Sequence, residues 1–348
     1  MNYNKIHKSF KLNGVSYSNE TLLEKATTLL DNNNDFEAEI GRFLIVWLNN
    51  EANVKVKTSG STGKPKELYL TKAAMKASAL ATGLFFNLKA SQAALLCLPV
   101  SYIAGKMMLV RALVLGLEID TIIPKINLDI SKKKYDFVAM IPSQVEKNLD
   151  VLNQFSTLII GGGTVSYSLK KALQTTTASV FETYGMTETI THIAIKPINK
   201  IDYKAYFKIL PNISISTDNR NCLVINAPQL HKETIVTNDV VNLYSATQFE
   251  WLGRADNVIN SGGVKLFPEK IEAKLEPFIN NRFFISSIKD NTFGELAVLI
   301  LEADSNQLEQ TIFNVLHKTE IPKLVYAIPN FVETTSGKIQ RKKTMQLL

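Results

Sequence analysis

The sequence predicts an α/β protein with a large layered N-terminal domain, a small β subdomain and a small C-terminal α+β domain. Three observations support this. Helix-like and strand-like stretches alternate between residues 71 and 160, which is typical of βα units around a parallel sheet. From about residue 200 the pattern changes to short β-like runs, as in a small antiparallel subdomain. Finally, 348 residues with 45% hydrophobic content are enough for two domains and a sizeable core.

Composition excludes several classes of protein. The net charge of +7 is spread along the chain, and the densest basic clusters are Lys132–Lys134 and Arg341–Lys343, so we expect no nucleic-acid partner. No apolar run approaches the roughly 18 to 20 residues that span a bilayer, and no signal peptide follows the start. We therefore expect a cytoplasmic protein without stable membrane insertion. Two cysteines and four scattered histidines give no reason to expect disulfides or structural zinc. A homodimer is compatible with the sequence, which does not fix the oligomeric state.

The elements follow in order along the chain. Apolar spacing predicts helices at 20–31 and 36–49, and Val54 and Val56 alternate with lysines as a short strand. Thr71 is positioned to cap a helix that runs to about Phe86. The following pattern predicts a strand at 93–99, a helix at 104–117, strands at 119–123 and 136–141, a helix at 143–153 and a strand at 157–160.

The short β-like runs after residue 200 lie at Ile213–Ile215, Leu223–Ile225, Val240–Tyr244 and Phe249–Leu252. We place a domain boundary at Asp256, which gives an N-terminal domain of residues 1–255 and a C-terminal domain of residues 256–348. The second domain is predicted to contain a helix starting near Pro268, two strands, a further helix and a basic tail. Its size is sufficient for a lid.

A loop rich in hydroxyl groups and glycines follows the Val54–Val56 strand. Small residues let the backbone approach an anion, and hydroxyls and lysines bond to phosphate oxygens. This loop, residues 58–66, departs from the phosphate-binding loop of nucleoside triphosphatases, because Thr58 replaces the first glycine and Pro65 stands where a magnesium-binding hydroxyl belongs. A polar surface turn is the alternative. The candidate phosphate-binding residues are Thr58, Ser59, Gly60, Ser61, Thr62, Gly63 and Lys66.

Two further loops follow predicted strands, and each has a plain alternative as a turn. Gly161, Gly162 and Gly163 permit backbone contact with a flat or anionic ligand. The stretch Tyr184–Thr189 combines an aromatic ring, hydroxyls and a carboxylate, which suit a base, a phosphate and a hard cation. Further on, Asp239 could accept hydrogen bonds from a ribose diol, although Asn-Asp is also a common turn pair.

These motifs, taken in order, resemble those of the acyl-adenylate-forming superfamily, and the resemblance covers roughly residues 55–345. Within it, the stretches Leu98–Arg111 and Met186–His192 look most like the compact bacterial o-succinylbenzoate–CoA ligases of menaquinone biosynthesis. Tyr102 stands where many relatives have His. The motifs that carry the resemblance are 58–66, Tyr184–Glu188, the Thr237/Asp239 pair, Gly253–Asp256, Ser261–Lys265 and Ser336–Lys338.

The resemblance implies a mobile lid and a role for each motif. The loop 58–66 would hold the β- and γ-phosphates of ATP, and Gly161–Gly163 with Tyr184, Gly185 and Met186 would contact the adenine side. Thr187 and Glu188 would bind the α-phosphate and Mg²⁺, with Glu188 as the metal ligand. The remaining implied roles are ribose binding by Asp239 and Arg254, the hinge at Asp256, adenylation by Lys338 and CoA binding by Gly262 and Gly263.

The implied reaction joins a small carboxylic acid to CoA through an acyl-adenylate, with ATP, Mg²⁺ and CoA as its requirements. Polar and cationic side chains near the presumed acyl pocket could meet a second carboxylate of the acid. The alternatives are an acyl- or aryl-CoA ligase of other specificity, an enzyme that loads a carrier protein, and a non-catalytic nucleotide binder. A binder would have no need of Lys338. The candidate acyl-substrate residues are Tyr102, Lys106, Arg111, Thr189 and His192.

Overall fold

The computed structural model describes residues 5–31, 34–57, 67–130, 132–200, 206–334 and 339–348. The chain divides into two compact units. The first comprises residues 1–215, 225–235 and 246–248, and the second comprises residues 216–224, 236–245 and 249–348. The domain boundary at Asp256 stays a prediction.

The described residues of the first unit form six α-helices, and side chains cap several of them. Ser18 accepts a hydrogen bond from the backbone N–H of Thr21 at the start of α1, and Thr71 accepts one from Ala74 at the start of α3, which confirms the predicted cap. Asn87, in the left-handed conformation, ends α3. The helices are α1 (Asn19–Leu30), α2 (Asp35–Leu48), α3 (Lys72–Phe86), α4 (Ile103–Leu115), α5 (Pro142–Lys147) and α6 (Tyr167–Ala172).

The main sheet of the first unit is parallel at its centre, as predicted. The strands between residues 11 and 209, of which all except β3 and β4 belong to this sheet, are β1 (Lys11–Leu12), β2 (Val15–Ser16), β3 (Asn53–Lys57), β4 (Glu67–Thr71), β5 (Ala93–Leu96), β6 (Glu118–Thr121), β7 (Tyr135–Met140), β8 (Phe155–Ile160), β9 (Ser179–Gly185), β10 (His192–Pro197) and β11 (Phe207–Ile209). Strands β6, β5, β7, β8 and β9 lie side by side and pair in parallel, with β10 and β11 added antiparallel beyond β9. Parallel strands are covered on both faces, and accordingly Leu95, Val138, Leu158 and Val180 are completely buried.

Two local features differ from the sequence-based expectations. A strand, β4, follows the 58–66 loop before α3 begins, and it pairs antiparallel with β3 as a separate two-stranded sheet. The loop therefore joins the strands of a hairpin, rather than leading from a strand directly into a helix. The helix predicted at 143–153 consists of α5 and a separate 3₁₀ helix at Leu149–Gln154, because Asn148 leaves the helical conformation between them.

Four further strands lie between β11 and the predicted lid, and neighbours in the chain are hydrogen-bonded to one another. They are β12 (Ser214–Thr217), β13 (Cys222–Asn226), β14 (Ile235–Ser245) and β15 (Gln248–Arg254). Most of their residues belong to the second unit. Cys222, Val240 and Leu252 form a small apolar cluster there.

The remainder of the second unit is α+β, as predicted, with more strands than the two expected. Its elements are β16 (Ile259–Ser261), β17 (Val264–Leu266), α7 (Pro268–Leu275), β18 (Phe283–Asp290), β19 (Gly294–Glu302), a 3₁₀ helix (Gln310–Val315), β20 (Leu324–Ile328) and α8 (Arg341–Met345). The sheet order is β17-β16-β19-β18, and β20 pairs in parallel with β19. Helix α7 packs through Ile271 and Leu275 into one apolar core of this sheet. Among the described residues, no helix is both long and apolar enough to cross a membrane.

Candidate active site

The glycine loop after β8 lies beside the end of β9. Ile160 and Glu182 are register partners in these parallel strands, so the residues that follow them meet at one edge of the sheet. A Cβ on Gly161 would lie 2.5 Å from the Thr183 hydroxyl, which donates to the Ile160 carbonyl at 3.0 Å. Gly162 has a φ of +81°, which other residues rarely adopt. The structure therefore brings the two predicted adenine-binding segments together through a backbone that only glycine allows.

Gly185 permits a second close approach. A Cβ at this position would lie 2.2 Å from the Thr191 carbonyl oxygen and 2.5 Å from the His192 Cα. The antiparallel pairing of β9 and β10 shifts register between His192 and Ala194, next to this contact. The absence of a side chain thus lets the predicted nucleotide strand touch the first residues of the strand that carries His192.

The predicted phosphate- and metal-binding turn is a 3₁₀ helix at Thr187–Thr189. The Thr189 hydroxyl lies 2.9 Å from the Met186 carbonyl and 2.7 Å from the Thr191 carbonyl, and it accepts the Met186 N–H at 3.0 Å. Thr189 is completely buried, so its hydroxyl holds the turn. The next residue, Ile190, is buried with a φ of +68°, a strained conformation for a β-branched residue. Such strain is concentrated at functional sites, which agrees with the predicted role of the turn.

Glu188 presents an exposed carboxylate on this turn. In the part of the chain that the structure describes, no group of three or more His, Cys, Asp or Glu side chains could hold a metal ion. Mg²⁺ in nucleotide enzymes commonly takes one or two protein carboxylates and completes its shell with phosphate oxygens and water. A single accessible carboxylate beside the predicted α-phosphate position therefore fits Mg²⁺ brought with ATP.

Arg111 is the most unusual predicted site residue. Only 2% of it is exposed, at the centre of α4. Its Nη2 donates to the Thr191 hydroxyl at 3.3 Å and its Nη1 lies 3.7 Å from the Met108 sulfur, while Nε is buried and has no hydrogen-bond partner among the described residues. Burial lowers the pKa of Arg111 to about 10, and no described carboxylate opposes this effect. The structure thus holds a desolvated guanidinium with donors to spare.

His192 lies in the same cluster. Its Nε2 is 3.2 Å from the Thr82 hydroxyl, and Ser78 reaches Thr191 at 3.3 Å. Burial, and secondly the charge of Arg111, lower the pKa of His192 well below 6.5. At neutral pH the imidazole is therefore uncharged and acts as a hydrogen-bonding group. The structure brings Arg111 and His192 together, and only Arg111 of this pair carries a positive charge.

Lys106 and Tyr102 lie at the start of α4. The Lys106 ammonium donates to the Val100 carbonyl at 2.5 Å and to the Ser101 carbonyl at 2.9 Å. On the same loop, the Ser101 N–H donates to Glu39 at 3.0 Å. Lys106 thus fastens the loop that precedes its own helix, whereas Tyr102 is 53% exposed and available to a ligand.

In the second unit, the predicted ribose-binding residues lie together. Asp239 in β14 is buried and accepts hydrogen bonds from the Trp251 indole at 3.2 Å and from Arg254 Nη1 at 3.4 Å. The Thr237 hydroxyl accepts the Asp239 N–H at 3.1 Å. Because Asp239 and Arg254 are on neighbouring strands, one carboxylate and one exposed guanidinium face a common point. A diol could bond to both.

The predicted hinge, Asp256, lies in a 3₁₀ turn at Ala255–Asn257. Asn257 donates to Glu269 at 2.6 Å, and a Cβ on Gly253 would collide with the other Glu269 oxygen at 2.2 Å. The predicted CoA-binding glycines, Gly262 and Gly263, form the turn between β16 and β17, with φ values of +56° and +81°. The stretch 58–66 and the residue Lys338, which carry the predicted phosphate and adenylation roles, lie outside the described residues.

Sequence reasoning missed four residues of these arrangements. Ser78 and Thr82 are polar residues four apart on the buried face of α3, and that spacing was the available signal. Thr191 lies between two predicted site residues, Thr189 and His192, and Trp251 lies two residues before the Gly253–Asp256 motif.

Comparisons with known proteins show which enzymes this chain resembles. Residues 56–220 match the model of the AMP-binding enzyme family. The acyl-CoA synthetase (AMP-forming)/AMP-acid ligase II-like protein of Dyadobacter fermentans is 33% identical, with a TM-score of 0.64 over 92% of this chain and 97% of its own. The 2-succinylbenzoate–CoA ligase of Bacillus cytotoxicus is 25% identical over 86% of this chain and 70% of its own. O-succinylbenzoate coenzyme A synthetase (MenE) of Bacillus subtilis, solved with ATP and magnesium, has a TM-score of 0.71 at 17% identity, covering 94% of this chain and 82% of its own.

The fold and the relatives define an AMP-forming acid–thiol ligase, an enzyme that activates a carboxylic acid as its adenylate. The chain belongs to the AMP-binding enzyme family. Its activity is that of an adenylate-forming acid–CoA ligase, and the prediction of this class from the motifs is confirmed.

Proposed function

We propose that the enzyme converts o-succinylbenzoate, ATP and CoA into o-succinylbenzoyl-CoA, AMP and diphosphate, a step of menaquinone biosynthesis. Relatives at about 25% identity carry the name 2-succinylbenzoate–CoA ligase, which supports this choice of acid. The observation that carries the proposal is the buried guanidinium of Arg111.

O-succinylbenzoate has two carboxylates, and only one is activated. The other stays ionised and needs a counter-charge inside the acyl pocket. Arg111 is a desolvated cation with an unused Nε donor, and planar guanidinium groups bind carboxylates in a two-point geometry. Lys106 is engaged by backbone carbonyls and His192 is neutral, so Arg111 is the cation best suited to this task. A fatty-acid pocket would gain nothing from such a costly charge.

Adenylation is attack of the reacting carboxylate oxygen on the α-phosphorus of ATP, with diphosphate as the leaving group. The carboxylate is already ionised and needs no general base. In our assignment Gly161–Gly163 and Tyr184 receive the adenine, Asp239 and Arg254 bind the ribose, and Thr187 donates to the α-phosphate. Glu188 would hold Mg²⁺, which supplies neutralisation of the phosphate charge.

The second step is attack of the CoA thiolate on the acyl carbon, which releases AMP. We assign Gly262 and Gly263 to the CoA side. A Cβ on Gly263 would meet nothing within 4 Å, which leaves room for a narrow pantetheine chain, whereas Gly262 lies against the Phe293 ring. Lys338 is assigned to the charge that develops during adenylation, and Asp256 to the hinge between the two steps.

Paired substrates test the choice of acid. The matched control for o-succinylbenzoate is 4-oxo-4-phenylbutanoate, which has the same skeleton without the carboxylate on the ring. A charge-assisted hydrogen bond contributes roughly 1.5 to 3 kcal/mol, so kcat/KM should fall about 10- to 150-fold for the control acid. AMP release with ATP and CoA measures both rates.

Two results would contradict the proposal. Hexanoate or benzoate turning over as well as o-succinylbenzoate would exclude specific recognition of a second carboxylate. Adenylation without thioester formation from free CoA would instead favour an enzyme that loads a carrier protein.

A further inference from the structure

The residues on either side of Thr335–Lys338 pair with each other. Glu333 and Ile339 form an antiparallel bridge, and the Gln340 N–H donates to the Val332 carbonyl at 2.7 Å. The Gln340 side chain donates to the Glu333 carbonyl at 2.7 Å. Hydrogen bonds therefore join the residues before this segment (Val332–Glu333) to those after it (Ile339–Arg341). We call these two flanking stretches the feet of the segment that ends in Lys338.

Arg341, two residues after the bridge residue Ile339, takes part in a partly buried ion pair. Arg341, the first residue of α8, meets Glu272 of α7 with both ends of its guanidinium, at 2.7 Å for Nη1 to Oε1 and 2.8 Å for Nη2 to Oε2. Glu272 also accepts the Ile285 N–H at 2.7 Å, and Arg341 Nη1 lies 3.3 Å from the Ile285 carbonyl. The guanidinium stands 5.5 Å from the centre of the Phe284 ring. The contacts of Arg341 thus join helix α7, strand β18 and the stretch that follows Lys338.

The two-point contact restricts the orientation of both side chains, which folding stability alone does not require. The side chains are only 25% (Arg341) and 17% (Glu272) exposed, and burial raises the pKa of the Glu272 carboxyl while Arg341 acts in the opposite direction. Well-packed apolar residues often replace such a pair without loss of stability, whereas removing one partner is strongly destabilising. A two-point, partly buried pair fixes the relative orientation of its two side chains, because the planar guanidinium accepts one orientation of the carboxylate.

The same helix offers a contrast. Lys274 and Glu320 also form an ion pair, with 2.6 Å between Nζ and Oε2. The Lys274 side chain is 40% exposed, however, and its ammonium group ends a flexible aliphatic chain. Neither residue of this pair is a hydrogen-bond partner of Arg341, and exposed pairs contribute little to stability.

We propose that Glu272 and Arg341 are positioning residues for adenylation, because they fix the foot of the segment that carries Lys338. Arg341 lies three residues after Lys338, and in this proposal neither member of the pair touches the substrate. The inference rests on the proposed role of Lys338 and does not depend on which acid is activated.

The test separates the two half-reactions. ATP–diphosphate exchange reports adenylation, and thioester formation from presynthesised acyl-adenylate and CoA reports the second step. Glu272→Gln should slow exchange about 10- to 100-fold through kcat, because a displacement of about 1 Å can reduce a rate on the order of 100-fold. The KM for ATP and the second step should stay within about twofold. The matched control, Glu320→Gln, should leave both steps unchanged.

A double variant distinguishes positioning from stability. Replacing both partners by apolar residues, Glu272→Met with Arg341→Met, should restore the denaturation midpoint that Glu272→Gln lowers, while exchange stays slow. Recovery of exchange together with the midpoint would overturn the proposal, since the pair would then serve folding alone. Equal loss in both half-reactions would overturn it as well.

Lys338→Ala shows which assignment has failed. Normal exchange in this variant would refute the role of Lys338, and the inference with it. Exchange lost in Lys338→Ala but retained in Glu272→Gln would refute the positioning pair alone.

Discussion

Replacing Arg111 by methionine should separate stability from function. Burial lowers the pKa of this guanidinium from 12.5 to about 10. At about 1.4 kcal/mol for each pKa unit, the charged side chain carries a desolvation cost of about 3 kcal/mol. Methionine keeps much of the apolar stem and removes that cost, together with one hydrogen bond to Thr191, which contributes about 1 kcal/mol. The free energy of unfolding of the unliganded enzyme should therefore stay equal or rise by about 1 to 2 kcal/mol.

The same substitution should damage catalysis with a dicarboxylate. For Arg111→Met, kcat/KM for o-succinylbenzoate should fall about 10- to 150-fold, to the level of 4-oxo-4-phenylbutanoate, whose own rate should hardly change. Urea unfolding of the unliganded protein and steady-state AMP release provide the two measurements. A loss of more than about 2 kcal/mol in unfolding free energy would show that Arg111 is a satisfied structural cation and refute this reasoning.

Three further outcomes are expected. Glu188→Gln should weaken activation by Mg²⁺ without changing the midpoint of unfolding, because magnesium prefers a charged oxygen; an unchanged Mg²⁺ titration would show Glu188 to be only a turn residue. Gly161→Ala places a Cβ 2.5 Å from the Thr183 hydroxyl, so AMP affinity measured by calorimetry and stability should both fall, the latter by about 1 to 3 kcal/mol, and Thr183→Ala in the same chain should recover part of the stability. The folded chain keeps His192 unprotonated while the unfolded chain takes up a proton below pH 6.5, so the free energy of unfolding should decrease by up to about 2 kcal/mol between pH 7 and pH 5; His192→Gln should lack this part of the pH dependence in denaturant titrations.

The sequence predicts the parallel sheet well because buried parallel strands require long apolar runs between helices. It predicts side-chain direction poorly. Lys106 and Arg111 are five residues apart on one helix, yet one fastens a preceding loop and the other lies in the core. The sequence did contain a signal for the burial of Arg111. Helix α4 is apolar on all sides, which is typical of a buried helix, so an arginine near its middle is expected to be buried as well.

Close contacts between distant residues were the least predictable feature. Strand β4 consists of five residues that include a glutamate and a threonine, and only pairing with β3 makes it a strand. The contacts of Ser78 and Thr82 with Thr191 and His192 join positions about one hundred residues apart, a distance at which periodicity carries no information.

The backbone contact at Gly185 has a consequence for how such enzymes diversify. Backbone contact between the two strands fixes the spacing between Tyr184, which we assign to the nucleotide, and His192, which we assign to the acyl pocket. If these assignments hold, side chains of the acyl pocket can be exchanged while the strand assigned to the adenine keeps its position. Substrate range and use of ATP can evolve as separate traits on this scaffold, provided that the glycine between them is kept.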